Sequence, residues 1–243
     1  MKKILVCLFL NFAAWQSFSQ SFEKSYQTID AGFAVGKSFS SAFSYTKMFG
    51  VGKTNRFKAG YGLRLSSFWA KDIETRTAPA SLTSGKSSFA ALVSDDIIAN
   101  IDTLNLKNIQ VNALNVSINL QYAISTKLEA GINIDAIGYT FGAKQNGTLI
   151  SKASKRTFTD GSAISEAKPT PFNLLLVSDS DLGSLNSEIF VRYWLNENVG
   201  IRAGLSFMFS EYTSTKKVNV ANEQNDRWRY KSLLPLIAIS YKF

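Results

Sequence analysis

Residues 110–125, QVNALNVSINLQYAIS, show the clearest alternation of period two in the chain. One set, Leu114, Val116, Ile118, Leu120, Tyr122 and Ile124, is bulky and apolar, and the interleaved set, Ala113, Asn115, Ser117, Asn119, Gln121 and Ala123, is small or amide-bearing. Side chains of a strand point to opposite faces in turn, so this stretch is a strand with one apolar and one polar face. The same alternation recurs in residues 28–37, 39–49, 56–70, 128–141, 188–195 and 199–212, and from about 229 to 243. Eight strands are predicted. After the leader, no apolar run approaches the length of a membrane-spanning helix.

The connections are sorted by length. Residues 50–55, 125–127 and 196–198, after the second, fourth and sixth strands, make short turns, whereas 71–107, 144–183 and 214–228 read as long polar loops; the first connection, around 36–38, is tight. Short turns at one end and long loops at the other are expected of a barrel in which only one end crosses a membrane during assembly. A soluble sandwich has no reason to segregate its loops this way.

Period two does not say which face is outside, because a lipocalin-like soluble barrel alternates too. The chemistry of the polar face discriminates. Strands facing water are rich in Lys and Glu, yet residues 110–125 hold no charge at all, and the other polar faces are Gly, Ser and Ala with isolated ionic groups. Small, hydrogen-bonding side chains suit a confined interior, which leaves the apolar face for lipid. On the inward phase stand Asp30, Glu129, Asp135 and Glu188 against Lys58, Arg64, Arg192 and Arg202. Eight strands enclose a bore that side chains can fill, and buried charges persist only when paired. A lumen closed by paired charges is therefore expected over an open conduit. Phe190 and Trp194 share the inward phase, and Lys47 falls on the apolar phase near a strand end, where it can snorkel. Ile137, Tyr139 and Phe141 continue the polar phase of Asn133 and Asp135, so either a bulge near Ala136 shifts the register or the upper interior is partly aromatic.

The first nineteen residues read as a signal peptide: Lys2 and Lys3, an apolar run from Ile4 to Ala14, and small Ser17 and Ser19 flanking Phe18. Residues 20–243 then form a single domain. Cys7, the one cysteine, lies in that leader, and the chain has no histidine, which excludes thiol chemistry and His- or Cys-ligated metal in the mature protein. The net charge of +9 does not point to nucleic acid, because the three long loops hold 12 basic and 11 acidic residues and the excess lies in strands and turns. Lys53, Arg56, Lys127 and Lys242 suit lipid headgroups instead.

The last residues, LPLIAISYKF, place Ile237, Ile239, Tyr241 and Phe243 at alternate positions up to the final one. This ending resembles the terminal-strand assembly signal of bacterial outer-membrane barrels, and the whole mature chain is similar to the small OmpA-, OmpX- and OmpW-like class in its Bacteroidetes style. The resemblance implies an all-β, eight-stranded antiparallel up-and-down transmembrane barrel with short periplasmic turns and long extracellular loops. It also implies location in the cell outer membrane of a Gram-negative envelope, with outer-membrane lipid and the barrel assembly machinery as partners. Enzymes built on such barrels depend on a histidine, so an enzyme and a cofactor are not expected here. The favoured role is structural or surface-interacting, with an extracellular or envelope protein met through the long loops, in which segments such as residues 87–101 carry enough apolar side chains to extend the strands above the membrane or pack together. A narrow passive channel for small solutes and a soluble exported β-barrel carrier stand as alternatives. Asp179 and Asp181 offer only a fragment of a calcium loop and read as solvated.

Overall fold

In the computed structural model, which describes residues 22–86, 94–151, 154–176 and 181–243, the strands form one antiparallel sheet. They are β1 (Ser25–Val35), β2 (Phe39–Val51), β3 (Phe57–Thr77), β4 (Thr103–Ala123), β5 (Leu128–Phe141), β6 (Gln145–Ile150), β7 (Ile164–Pro169), β8 (Phe172–Leu174), β9 (Leu185–Trp194), β10 (Val199–Val220) and β11 (Glu223–Lys242). The signal-peptide stretch, residues 87–93 and Asp179 lie outside the described residues.

Eight strands close the ring: β1 pairs β2, and the ladder runs through β3, β4, β5, β9, β10 and β11 back to β1. The closing seam sets Ile239 against Ala31 and Ile237 against Phe33. All eight strands are those the alternation predicts, and the faces lie as the polar-side chemistry demands. Ile118, Leu205 and Ile239 are 53%, 42% and 64% exposed, while Asn119 and Arg202 are each 3% exposed. Phe33, Phe43, Leu63, Val191 and Ile237 extend the exposed set into a continuous apolar belt around the ring. A belt of this extent is far beyond the scattered apolar exposure of a water-soluble surface.

The ambiguous stretch of β5 resolves as a bulge. Ser117 pairs Asp135 but Val116 pairs Ile137, so Ala136 is the extra residue. The half-step it adds sends Ile137, Tyr139 and Phe141 outward and turns Thr140 in. Lys47, on the apolar phase, rests its ammonium 5.5 Å from the Phe49 ring near the turn end.

The long polar loops differ most from expectation. Residues 71–77 and 103–107 are strand, residues 214–228 are an extension of the β10–β11 hairpin, and residues 144–183 contain β6, β7 and β8. Beyond the short β1–β2 hairpin, β3 pairs directly with β11 through Thr77 and Trp228. There β4 passes to β6, β6 to β7 and β7 to β10, so the eight-stranded ring narrows into a closed ring of six. This cap has an apolar interior built by Leu104, Leu106, Leu149, Ala167, Val218, Val220 and Trp228. The cap turns back on Ala221 and Asn222, both with left-handed φ (47° and 68°), as a two-residue hairpin turn requires.

Facing strands β3 and β4 switch phase at one level. Inward positions are even up to Ala70 and odd from Ile73 on β3, while on β4 they are even up to Leu106 and odd from Ile109. Asp72, with φ at 49°, makes the first switch, and Lys107 and Asn108 are both exposed at the second.

Close approach of β9 and β10 depends on Gly204. A Cβ there would stand 2.1 Å from the Ile189 carbonyl oxygen and 2.7 Å from Phe190 Cα. Gly204→Ala is expected to destabilise the barrel by about 1–3 kcal/mol through forced separation of the two strands. A lowered urea midpoint checks this, and an unchanged one would mean that the wall has room for a methyl group.

Candidate functional site

The inward phase of five strands converges on one interior. β1 delivers Asp30, β3 delivers Lys58 and Arg64, β5 delivers Glu129 and Asp135, β9 delivers Glu188 and Arg192, and β10 delivers Arg202. The structure brings all eight of these sequence-predicted residues together. They form a single chain of alternating sign.

From the turn end, Lys58 Nζ lies 3.2 Å from Glu129 Oε1, and Glu129 Oε2 is 3.5 Å from Arg192. Arg192 meets Asp30 at 3.0 Å, and Asp30 is 3.9 Å from Arg202. Arg202 reaches Glu188 at 3.2 Å, Glu188 reaches Arg64 at 3.3 Å, and Arg64 ends the chain on Asp135 at 3.0 Å. Four cations and four carboxylates leave no net charge. Each charge between the two ends touches two of opposite sign, the arrangement that offsets desolvation best in a closed interior.

Neutral groups take the remaining lone pairs. Tyr26 donates its hydroxyl to Glu129 at 3.0 Å and also to Gln121. Asn133 donates to Glu188 at 2.8 Å, Asn115 donates to Asp135 at 2.8 Å, and Ser240 donates to Asp30. Asn173 of β8, which pairs β5, donates to Asn115 at 2.7 Å, tying the segment between β7 and β9 to the network. Phe190 and Trp194 stand inward, with the Arg202 guanidinium 4.7 Å from the Phe190 ring and that of Arg192 5.2 Å from the Trp194 ring. Rings in these places hold the guanidinium planes while excluding water. Tyr26 lies two residues before the alternation of residues 28–37 and so is not among the inward residues that alternation predicts. Carrying the period two residues back puts Tyr26 on the phase of Thr28 and Asp30.

At the turn end the column opens into a vestibule of about 400 Å³ lined by Lys58, Glu129, Trp194 and Lys242. At the loop end Phe68, Val111, Met208 and Leu234 close over it. The gap between polar column and apolar layer measures about 10 Å³, the lower limit of space for one water.

Ile237, Ile239, Tyr241 and Phe243 all lie outward on or just past β11. Asp181 is buried rather than solvated: its Oδ1 accepts the Leu176 backbone N–H at 2.6 Å, and its carbonyl accepts from Arg227 and Arg229. Glu211, on the outer side of the wall, accepts from the same two arginines at 2.8–2.9 Å. In the cap, burial pushes the Tyr212 phenol well above the usual tyrosine value, so it stays neutral and donates to the Gln110 carbonyl at 3.5 Å.

No protein-family model matches this chain, and no curated protein does. Among solved structures, the chain is similar to Neisserial surface protein A, with TM-score 0.39 and 10% identity over 91% of this chain and 98% of that one. A major outer membrane protein from Thermus thermophilus aligns at TM-score 0.40 and 9% identity, covering 91% and 100% of the two chains. OprG from Pseudomonas aeruginosa aligns at TM-score 0.36 and 9% identity, covering 92% and 98%.

Proposed function

We propose that this protein is an integral outer-membrane β-barrel with a structural or surface-interaction role, whose lumen is sealed against solutes. The belt of Phe33, Leu63, Ile118, Val191, Leu205 and Ile237 meets acyl chains, and aromatic residues such as Phe57, Trp69, Tyr122, Tyr193 and Tyr241 suit the two interfaces. The observation that carries the reading is the eight-member charge chain crossing the bore beneath an apolar layer. A solute would have to break several ion pairs in a low-dielectric interior and then part the Phe68 and Met208 layer. The cap, a closed ring of six strands carried above the outer surface by the continuations of β3, β4, β10 and β11, is the part that meets other molecules.

Planar-bilayer recording of the pure refolded protein tests the seal. No conductance steps are expected. Regular steps whose size follows salt concentration would instead establish a passive channel.

A further inference from the structure

The outer wall forks where the ring of eight becomes the ring of six. β4 pairs β5 as far up as Asn112 and pairs β6 from Leu106 on, so between these residues its edge has no strand beside it. The fork leaves a groove of about 620 Å³. Lys107, Asn108, Gln110, Lys144, Asn146 and Thr148 line it, and all six are exposed. Three amides, a hydroxyl and the open backbone of β4 offer donors and acceptors together, one of which, the Asn108 N–H, donates to Gln145 Oε1 at 3.2 Å.

No carboxylate lines the groove among the described residues. Glu166, on β7 at its far edge, takes Lys144 at 3.0 Å in an exposed pair, which is weak and replaceable. Lys107 has no ion-pair partner among the described residues. The charged side chains of the lining are therefore the two lysines, and it is the phase switch on β4 that turns Lys107 and Asn108 outward side by side.

The apolar belt begins directly below. Phe141 pairs Asn112, two residues down β4 from Gln110, and Tyr139 and Leu114 follow, all three rings or side chains exposed. Amides suit sugar hydroxyls, a lysine suits a phosphate, and the apolar wall beneath suits acyl chains.

We infer that this groove binds the phosphorylated sugar headgroup of an outer-leaflet glycolipid whose acyl chains lie against Leu114, Tyr139 and Phe141. The inference rests on the membrane reading given above. The site fixes one glycolipid at one azimuth of the barrel and thereby orients the cap on the surface.

The test uses the full-length protein refolded into phosphatidylethanolamine vesicles carrying a minor fraction of a phosphorylated, glucosamine-based glycolipid. Flotation comes first: protein that fails to float with the vesicles contradicts the membrane reading itself. From floated protein extracted in mild detergent, glycolipid retained per barrel is counted by mass spectrometry. Enrichment above the bulk fraction is expected for the wild type. K107E combined with N146A should reduce it about tenfold, as loss of a charge-assisted contact implies, whereas K217E, exposed elsewhere on the cap, should not. The dephosphorylated glycolipid should not be enriched, and soluble glucosamine phosphate should not displace the bound lipid. Equal retention by the K107E/N146A protein, an equal loss in K217E, or full displacement by the soluble sugar phosphate would each overturn the inference while leaving the barrel in the membrane.

Discussion

Replacing Arg64 by alanine is expected to destabilise the barrel by about 3–5 kcal/mol, the cost of leaving buried charge without its partner. Arg64 is 2% exposed and holds two carboxylates at once, Asp135 at 3.0 Å and Glu188 at 3.3 Å, while donating to Asn133. After truncation Asp135 keeps only neutral donors, the Asn115 amide and the Asn186 backbone N–H. Glu188 keeps Arg202, so the penalty concentrates on Asp135. Two consequences separate this account from simple loss of packing. Adding Asp135→Asn to Arg64→Ala should recover part of the loss, because the stranded charge goes with it. Lys37→Ala, on an exposed turn, should stay within about 0.5 kcal/mol. Urea unfolding followed by tryptophan fluorescence reads all three, and no recovery in the double variant would mean that the network is not coupled as its distances indicate.

Trp228→Ala is expected to cost about 3–5 kcal/mol, and to cost it in the cap. The indole is fully buried, donates Nε1–H to Ser214 Oγ at 2.9 Å, and its backbone pairs Thr77 at the β11–β3 seam that closes the six-stranded ring. Removing it leaves a large void beside Leu104, Val218 and Val220 and frees the seam. Hydrogen exchange should then rise at residues 103–106 and 214–228 while residues 200–208 stay protected, because the eight-stranded ring below closes through β1 and β2 without using this seam. Uniform acceleration along all of β10 would show that cap and ring unfold as one unit.

How much of this was legible in the sequence follows from where period two survives. Apart from β5 at Ala136, the ring strands keep one phase over the stretch between turn and cap, and between isolated charges their inward side is small and polar, so strand number, facing and the inward phase of all eight network charges can be read directly. The cap could not be read the same way. Its outer face meets water and carries Lys217, Asn219, Lys231 and Glu74, which makes 214–228 and 71–77 look like polar loop. Phase breaks at Asp72 and at Lys107–Asn108 also cut the alternation where β3 and β4 cross into the cap. A fragment such as Val218-Asn219-Val220 still carried the period. The bulge at Ala136 was visible only as two competing registers, which pairing with β4 decides. Pairings within the network were beyond the sequence, since which carboxylate meets which guanidinium depends on shear between strands as far apart in the chain as those of Asp30 and Arg202.

The most direct measurement is collision of spin labels with two relaxing agents in a lipid bilayer, oxygen dissolved in the hydrocarbon and a nickel chelate dissolved in water. With Cys7 replaced by serine, single labels go to Leu63→Cys, Ile118→Cys, Leu205→Cys and Ile239→Cys around the belt, and to Thr148→Cys and Lys217→Cys on the cap. High oxygen and low nickel accessibility at the four belt positions, with the reverse at the two cap positions, is the result that a lipid-facing belt requires. Belt labels that met the nickel chelate as freely as the cap labels do would place water, not lipid, outside the ring, and the interior charges would then need a different account.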